Sequence, residues 1–300
     1  MANSADISNL NYFVALDDRV DICSEILGST SEPTAAERER AAELKRVVFD
    51  GITSSIEHGI AKSSLALWAD SDLGESVLLR AKAMSMTTAS SPGSGVRSLS
   101  RLNVDYTAVQ LNMNPDGPKE ERKELLHRLK IVSDTASKES IPLMIELDTV
   151  PTASQIEIYG GLGDARGIVL LKAMQQLQDA GVNPSIWAFE PVDDVSITEA
   201  IAAQANIDDR GNTVLLVVAD QLSTEKIGNT VSQMEKRTIR LAARTLGISG
   251  LLVGKGVYFG LLQRLNQGII ERDEVVASVA AYLGDISEIF EKSRKTSEVL

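Results

Sequence analysis

Two kinds of side chain in this sequence are placed to do chemistry: carboxylates that close apolar runs, and a lysine set between glycines. Gly254-Lys255-Gly256 follows the apolar run Gly250–Val253. The glycines let a ligand approach backbone N–H groups and the lysine adds a point charge, so the triplet is a candidate anion site, phosphate above all. Gly-x-Gly also occurs at ordinary strand–helix turns, and that reading stays open. Asp17, Glu146 and Glu190 lie just inside the ends of three other runs, where an unpaired carboxylate is costly; they are the candidate catalytic groups. Arg19, Gln110 and Asp220 stand at similar run ends and join the candidate substrate- or phosphate-binding set. Asp72, Asp148, Asp193 and Asp194 read as loop starts or helix caps.

The elements that must position these groups alternate along the chain. Apolar runs at Tyr12–Leu16, Ser64–Trp68, Met84–Ala89, Tyr106–Met113, Ile141–Leu147, Pro184–Glu190, Thr213–Ala219 and Gly250–Val253 have strand length. Helix-period segments separate them. Thr34 and Glu37 form a capping-box pattern opening a helix to about His58, and Ser196 with Glu199 forms another. Further helices are expected at Gly74–Ala83, Pro118–Ser140 and Gly167–Ala180, and behind Ser223 with Ile227, Val231, Met234 and Leu241 on one face. A closing helix carries Val275, Val279, Tyr282, Ile286 and Phe290 on one stripe. Eight alternations without a composition break predict a single (β/α)8 TIM barrel over 1–300, with 292–300 fraying. A doubly wound open sheet is the alternative, but the chain has no dinucleotide or Walker fingerprint. In such a barrel the active face is built from strand C-terminal ends, where these candidate residues fall.

Composition narrows the partners. A net charge of −12 argues against nucleic acid. No run approaches the roughly 18 apolar residues of a membrane span, and the N-terminus lacks the basic and apolar regions of a signal peptide. A single cysteine, Cys23, fits a reducing cytoplasm; it reads as a small buried hydrophobe. Trp187 should face away from Ala188 and Glu190 and serve packing. The loop between Ser90 and Asn103 carries Arg97 and Arg101 and reads as a connector, with a substrate lid as the alternative.

Several motifs together resemble a known family. ISGLLVGKGVYFG, YFVALDDR, MIELD and PSIWAFEP, in their order along the chain, are similar to the last-, first-, fifth- and sixth-strand motifs of class I tagatose-bisphosphate aldolases and 2-deoxy-5-keto-gluconate-6-phosphate aldolase domains. The likeness runs from about residue 12 to 290. It implies a barrel that makes or breaks a carbon–carbon bond in a phosphorylated sugar through a lysine Schiff base. By the same resemblance Asp17 and Glu146 match active-site carboxylates, and Lys255 stands where the family has a phosphate-binding arginine. The sequence departs from the pattern at the lysines: Ala188 and Gln110 occupy the strand-six and strand-four positions.

Three functions follow as expectations. One is an aldolase-like lyase or isomerase acting on a sugar phosphate. Another is a non-catalytic sugar-phosphate- or partner-binding relative. The last is a metal-assisted enzyme in which Asp17, Glu146 and Glu190 hold Mg²⁺ or Mn²⁺. No other cofactor is expected, and His58 and His127 sit on helix-period segments, away from strand ends. Homo-oligomers are common among aldolase barrels. Without the lysines, the three carboxylates are expected to lack the cation that the family places among them.

Overall fold

The computed structural model describes residues 10–93, 95–208, 213–219 and 231–297. Eight parallel strands close in chain order into a barrel: β1 (Tyr12–Leu16), β2 (Leu65–Ala69), β3 (Thr87–Ser90), β4 (Tyr106–Asn112), β5 (Leu143–Asp148), β6 (Ile186–Phe189), β7 (Val214–Val218) and β8 (Gly250–Val253). Closure is direct. Tyr12 pairs with Leu251 and Val14 with Val253, so β8 contacts β1 as well as β7, and the open sheet is excluded.

The strand side chains alternate between two cores, as the pleat requires. Phe13, Ala15, Trp68, Ala108, Met144, Ala188 and Leu216 fill the barrel interior. Trp68 lies in register with Ala15 on one side and Ala89 on the other, so the small residues make room for the indole. The intervening residues, Trp187 among them, pack outward against the helices. Among these helices are α1 (Ala35–Glu57), α2 (Glu75–Ala83), α3 (Val96–Leu99), α4 (Lys119–Glu139), α5 (Ala153–Tyr159), α6 (Leu162–Asp179), α7 (Val195–Ala205), α8 (Gln233–Arg244), α9 (Phe259–Asn266) and α10 (Arg272–Ser297).

Several boundaries differ from expectation, each for a local reason. β3 begins at Thr87 because Met84 caps α2 and Ser85 turns through a left-handed φ of 58°. α7 is capped by Asp194, whose side chain accepts from the Ile197 N–H, and not by Ser196. α6 starts earlier than Gly167, and α5 before it is an addition, opened by a Thr152/Gln155 capping box. The segment behind Ser223 lies outside the described residues. The described helix α8 starts behind Ser232, whose capping box with Glu235 sets the register. Glu235, Thr238, Ile239 and Ala242 therefore face inward, and Met234 is 63% exposed. α10 continues as helix to Ser297, so the described part of the stretch expected to fray is helical; Arg294 bonds the carbonyls of Ile248 and Ser249.

Candidate functional site

The barrel's C-terminal mouth is organised around a guanidinium. Arg19, three residues past β1, turns inward and donates from Nε to Asp17 Oδ1 at 2.6 Å and from Nη2 to Glu146 Oε2 at 2.7 Å. Longer contacts, Nη2 to Asp17 Oδ2 and Nη1 to Glu146 Oε1, are both 3.3 Å. The guanidinium also stacks over Trp68, 4.8 Å from the ring centroid. All three ionic groups are nearly buried, with side-chain exposures of 8%, 2% and 8% for Arg19, Asp17 and Glu146. Charges this deep are tolerated because each is paired and hydrogen-bonded. Two of the expected catalytic carboxylates are thus brought together, across the barrel from β1 to β5. Arg19 supplies the cation they were expected to lack.

The other candidates fall around this pair. Gln110, in register with Glu146, approaches its Oε1 through Nε2 at 3.5 Å. Ala188 is the register partner of Glu146 on the opposite side and is fully buried. Glu190 lies one residue past β6 and pairs with Arg166 of α6 at 3.3 Å, its side chain 39% exposed. It thus has a cation of its own, outside the Asp17–Arg19–Glu146 group. Gly254, Lys255 and Gly256 follow β8 into a short 3₁₀ turn, with the Lys255 ammonium 5.9 Å from the centre of the Phe259 ring. Asp220 lies outside the described residues.

An unforeseen cation completes the face. Lys45 of α1 is 1% exposed and reaches past the end of β1, donating to the carbonyls of Leu16 at 3.0 Å and Asp17 at 3.2 Å and to the Asp70 carboxylate. Asp70 also accepts from the backbone N–H groups of Asp72, Leu73 and Gly74. Burial pushes the Asp70 carboxyl up, but Lys45 and these N–H groups outweigh it and hold it below the ordinary aspartate value. The signal was in the sequence: Lys45 lies at a helix position shared with Ala41 and Val48, where an apolar residue belongs.

A cavity of about 350 Å³ opens over Asp17, Arg19, Trp68, Ser91 and Gln110. Arg97 turns away from it to Glu139, so the loop that carries it does not present that residue to the mouth. Asp72 and Asp193 are paired at the surface with Arg38 and Arg237. Among the described residues no three His, Cys, Asp or Glu side chains come together to hold a metal ion. The Asp17–Glu146–Glu190 metal site therefore does not fit: Arg19 stands between two of its members and Arg166 pairs with the third.

No family model and no curated protein matches the chain. Solved structures do. A fructose-bisphosphate aldolase from Slackia heliotrinireducens is 12% identical with a TM-score of 0.54, over 93% of this chain and 87% of that one. A Schiff-base-forming fructose-1,6-bisphosphate aldolase is 11% identical with a TM-score of 0.52, over 92% and 95%. The YdjI aldolase of Escherichia coli is 10% identical with a TM-score of 0.53, over 97% and 95%. The likeness is one of fold. The chain is a (β/α)8 barrel of the same fold as these aldolases, and the roles of its side chains rest on their own chemistry. Among the described residues no helix is long and apolar enough to cross a membrane.

Proposed function

We propose that this barrel binds a phosphorylated sugar, or a similar small anion, at its C-terminal mouth, without forming an imine at the strand-four or strand-six position. The observation that carries this is the Arg19 bridge between Asp17 and Glu146. A guanidinium stays protonated at all relevant pH, so it pairs with the two carboxylates as a protonated amine would but cannot attack a carbonyl. Asp17 and Glu146, anchored by Arg19, keep lone pairs for sugar hydroxyls. Lys255, with the N–H groups around Gly254 and Gly256, holds the phosphate.

The cavity over Asp17 favours a second reading, a carbon–carbon lyase or isomerase. Its volume of about 350 Å³ falls in the range of small-molecule sites, and Asp17 lines it within reach of a bound sugar. There Asp17 or Glu146 would move the proton.

Two measurements test these readings. In calorimetry with inorganic phosphate, Lys255→Ala is expected to lose a charge-assisted contact worth about 1.5–3 kcal/mol, roughly tenfold or more in affinity. Equal affinity in both proteins would reject the phosphate role. Borohydride reduction with dihydroxyacetone phosphate should leave the chain unmodified. An adduct mapped by mass spectrometry to Lys255 would replace phosphate binding by covalent chemistry at that residue.

A further inference from the structure

We infer that the ligand of this mouth carries a single anionic group, with its other end a neutral polyol, and that Asp18 is the residue that turns a second phosphate away. This rests on the phosphate reading of Lys255 and deepens it.

A second cavity of about 370 Å³ adjoins the mouth and is lined by Asp18, Asp21, Lys45, Asp70, Ser71 and Asp72, among others. The two cavities share Asp18 and Ser91, so they form a continuous groove at the ends of β1 to β4. Lys255 follows β8, the strand paired with β1. A ligand anchored there by its phosphate and reaching over the adjoining end of β1 would enter this groove.

Among the described residues the groove walls carry five carboxylates, Asp17, Asp18, Asp21, Asp70 and Asp72, against two cations, Arg19 and Lys45. Both cations are committed. Arg19 spans Asp17 and Glu146, and the Lys45 ammonium, which has three N–H bonds, meets Leu16 O, Asp17 O and Asp70. Asp72 is paired with Arg38, and Asp21 caps the helical turn that follows it. Asp18 has no ion pair among the described residues and lines both cavities. Although Asp18 is exposed to solvent, partial desolvation at the mouth first, then the like charges of Asp17 and Asp70, push its carboxyl above the ordinary value. An entering phosphate meets this repulsion, and both cations among the described lining residues are already engaged. Hydroxyls, in contrast, donate to carboxylate lone pairs.

The test compares fructose 6-phosphate with fructose 1,6-bisphosphate by calorimetry in low salt. The monophosphate is expected to bind about tenfold more tightly or better, two like charges a few ångströms apart being costly near a protein surface. Asp18→Asn is expected to narrow that ratio by about threefold or more, and about 0.5 M salt to narrow it as well. A bisphosphate that binds as tightly as the monophosphate overturns the inference and leaves the sugar-phosphate reading standing. An unchanged ratio in Asp18→Asn removes that residue's role and the inference with it. If inorganic phosphate and both sugars fail to bind, the phosphate reading itself falls.

Discussion

Lys45 sits on an otherwise apolar face of α1, with its ammonium fixed by two carbonyls and Asp70. Because the folded-state Asp70 carboxyl is held low, it contributes stability above its unfolded value of about 3.9, and that contribution is lost as pH falls below it. Lys45→Met removes the cation and leaves only the backbone N–H groups of the following turn to oppose burial, so the charged form becomes less favourable. The variant is expected to lose about 3–5 kcal/mol at pH 7, with the deficit shrinking as the pH approaches 4 and Asp70 protonates. Urea unfolding across that range checks it; a deficit independent of pH would remove Asp70 from the explanation. Arg19 makes a second prediction at this scale. Ala188 is the register partner of Glu146, which shares the single charge of Arg19 with Asp17. Ala188→Lys therefore adds a second cation to two carboxylates in the wild type but the first one, and so the more strongly stabilised, in Arg19→Ala. A double-mutant cycle should show coupling of about 1–3 kcal/mol in favour of the double variant. Additive losses would mean that position 188 does not share the carboxylates with Arg19.

At the scale of elements, caps decide where helices begin and so which face they bury. Ser232 accepts from the Glu235 N–H while Glu235 returns to the Ser232 N–H, and the buried Glu235 also takes the Tyr282 hydroxyl of α10 at 2.8 Å. The cap and the packing of α8 on α10 thus share one carboxylate. Ser232→Ala is expected to cost about 1 kcal/mol, the ordinary price of an N-cap, as read by chemical denaturation. Ser232→Asp should recover most of it, and failure to do so would mean that the hydroxyl matters for something other than capping. The same logic explains α7: Asp194 outcompetes Ser196 because its side chain reaches the Ile197 N–H two residues earlier.

At the scale of the molecule, closure depends on the seam between β8 and β1. Leu251 N–H donates to Asn11 O at 2.7 Å, and the backbone of Asn11 lies where a side chain on Gly250 would be. Even a methyl there presses into the Asn11 carbonyl, which as backbone cannot step aside. Gly250→Ala should destabilise by about 1–3 kcal/mol in thermal unfolding, out of proportion to its size. A neutral result would show that the seam can open without loss. The position follows from topology, since the glycine is required only because the last strand meets the first.

The eight apolar runs with their polar ends and the intervening helix periods determined the barrel, because strand and helix periodicities are local properties of the chain. They also placed Asp17, Arg19, Glu146 and Lys255 at strand ends, which is where the structure has them. What tertiary structure decided was partnership. Arg19 and Glu146 are 127 residues apart, and nothing near either one says that a guanidinium will stand between that glutamate and Asp17. Glu190 looked like a third member of the cluster until α6 brought Arg166 beside it. Lys45 shares the apolar face of α1 with Ala41 and Val48, but only the packing of that helix at the end of β1 gives it Asp70 as a partner. Charge pairing depends on distances set by closure of the whole barrel, so spacing along the chain could name the ionic groups but not match them.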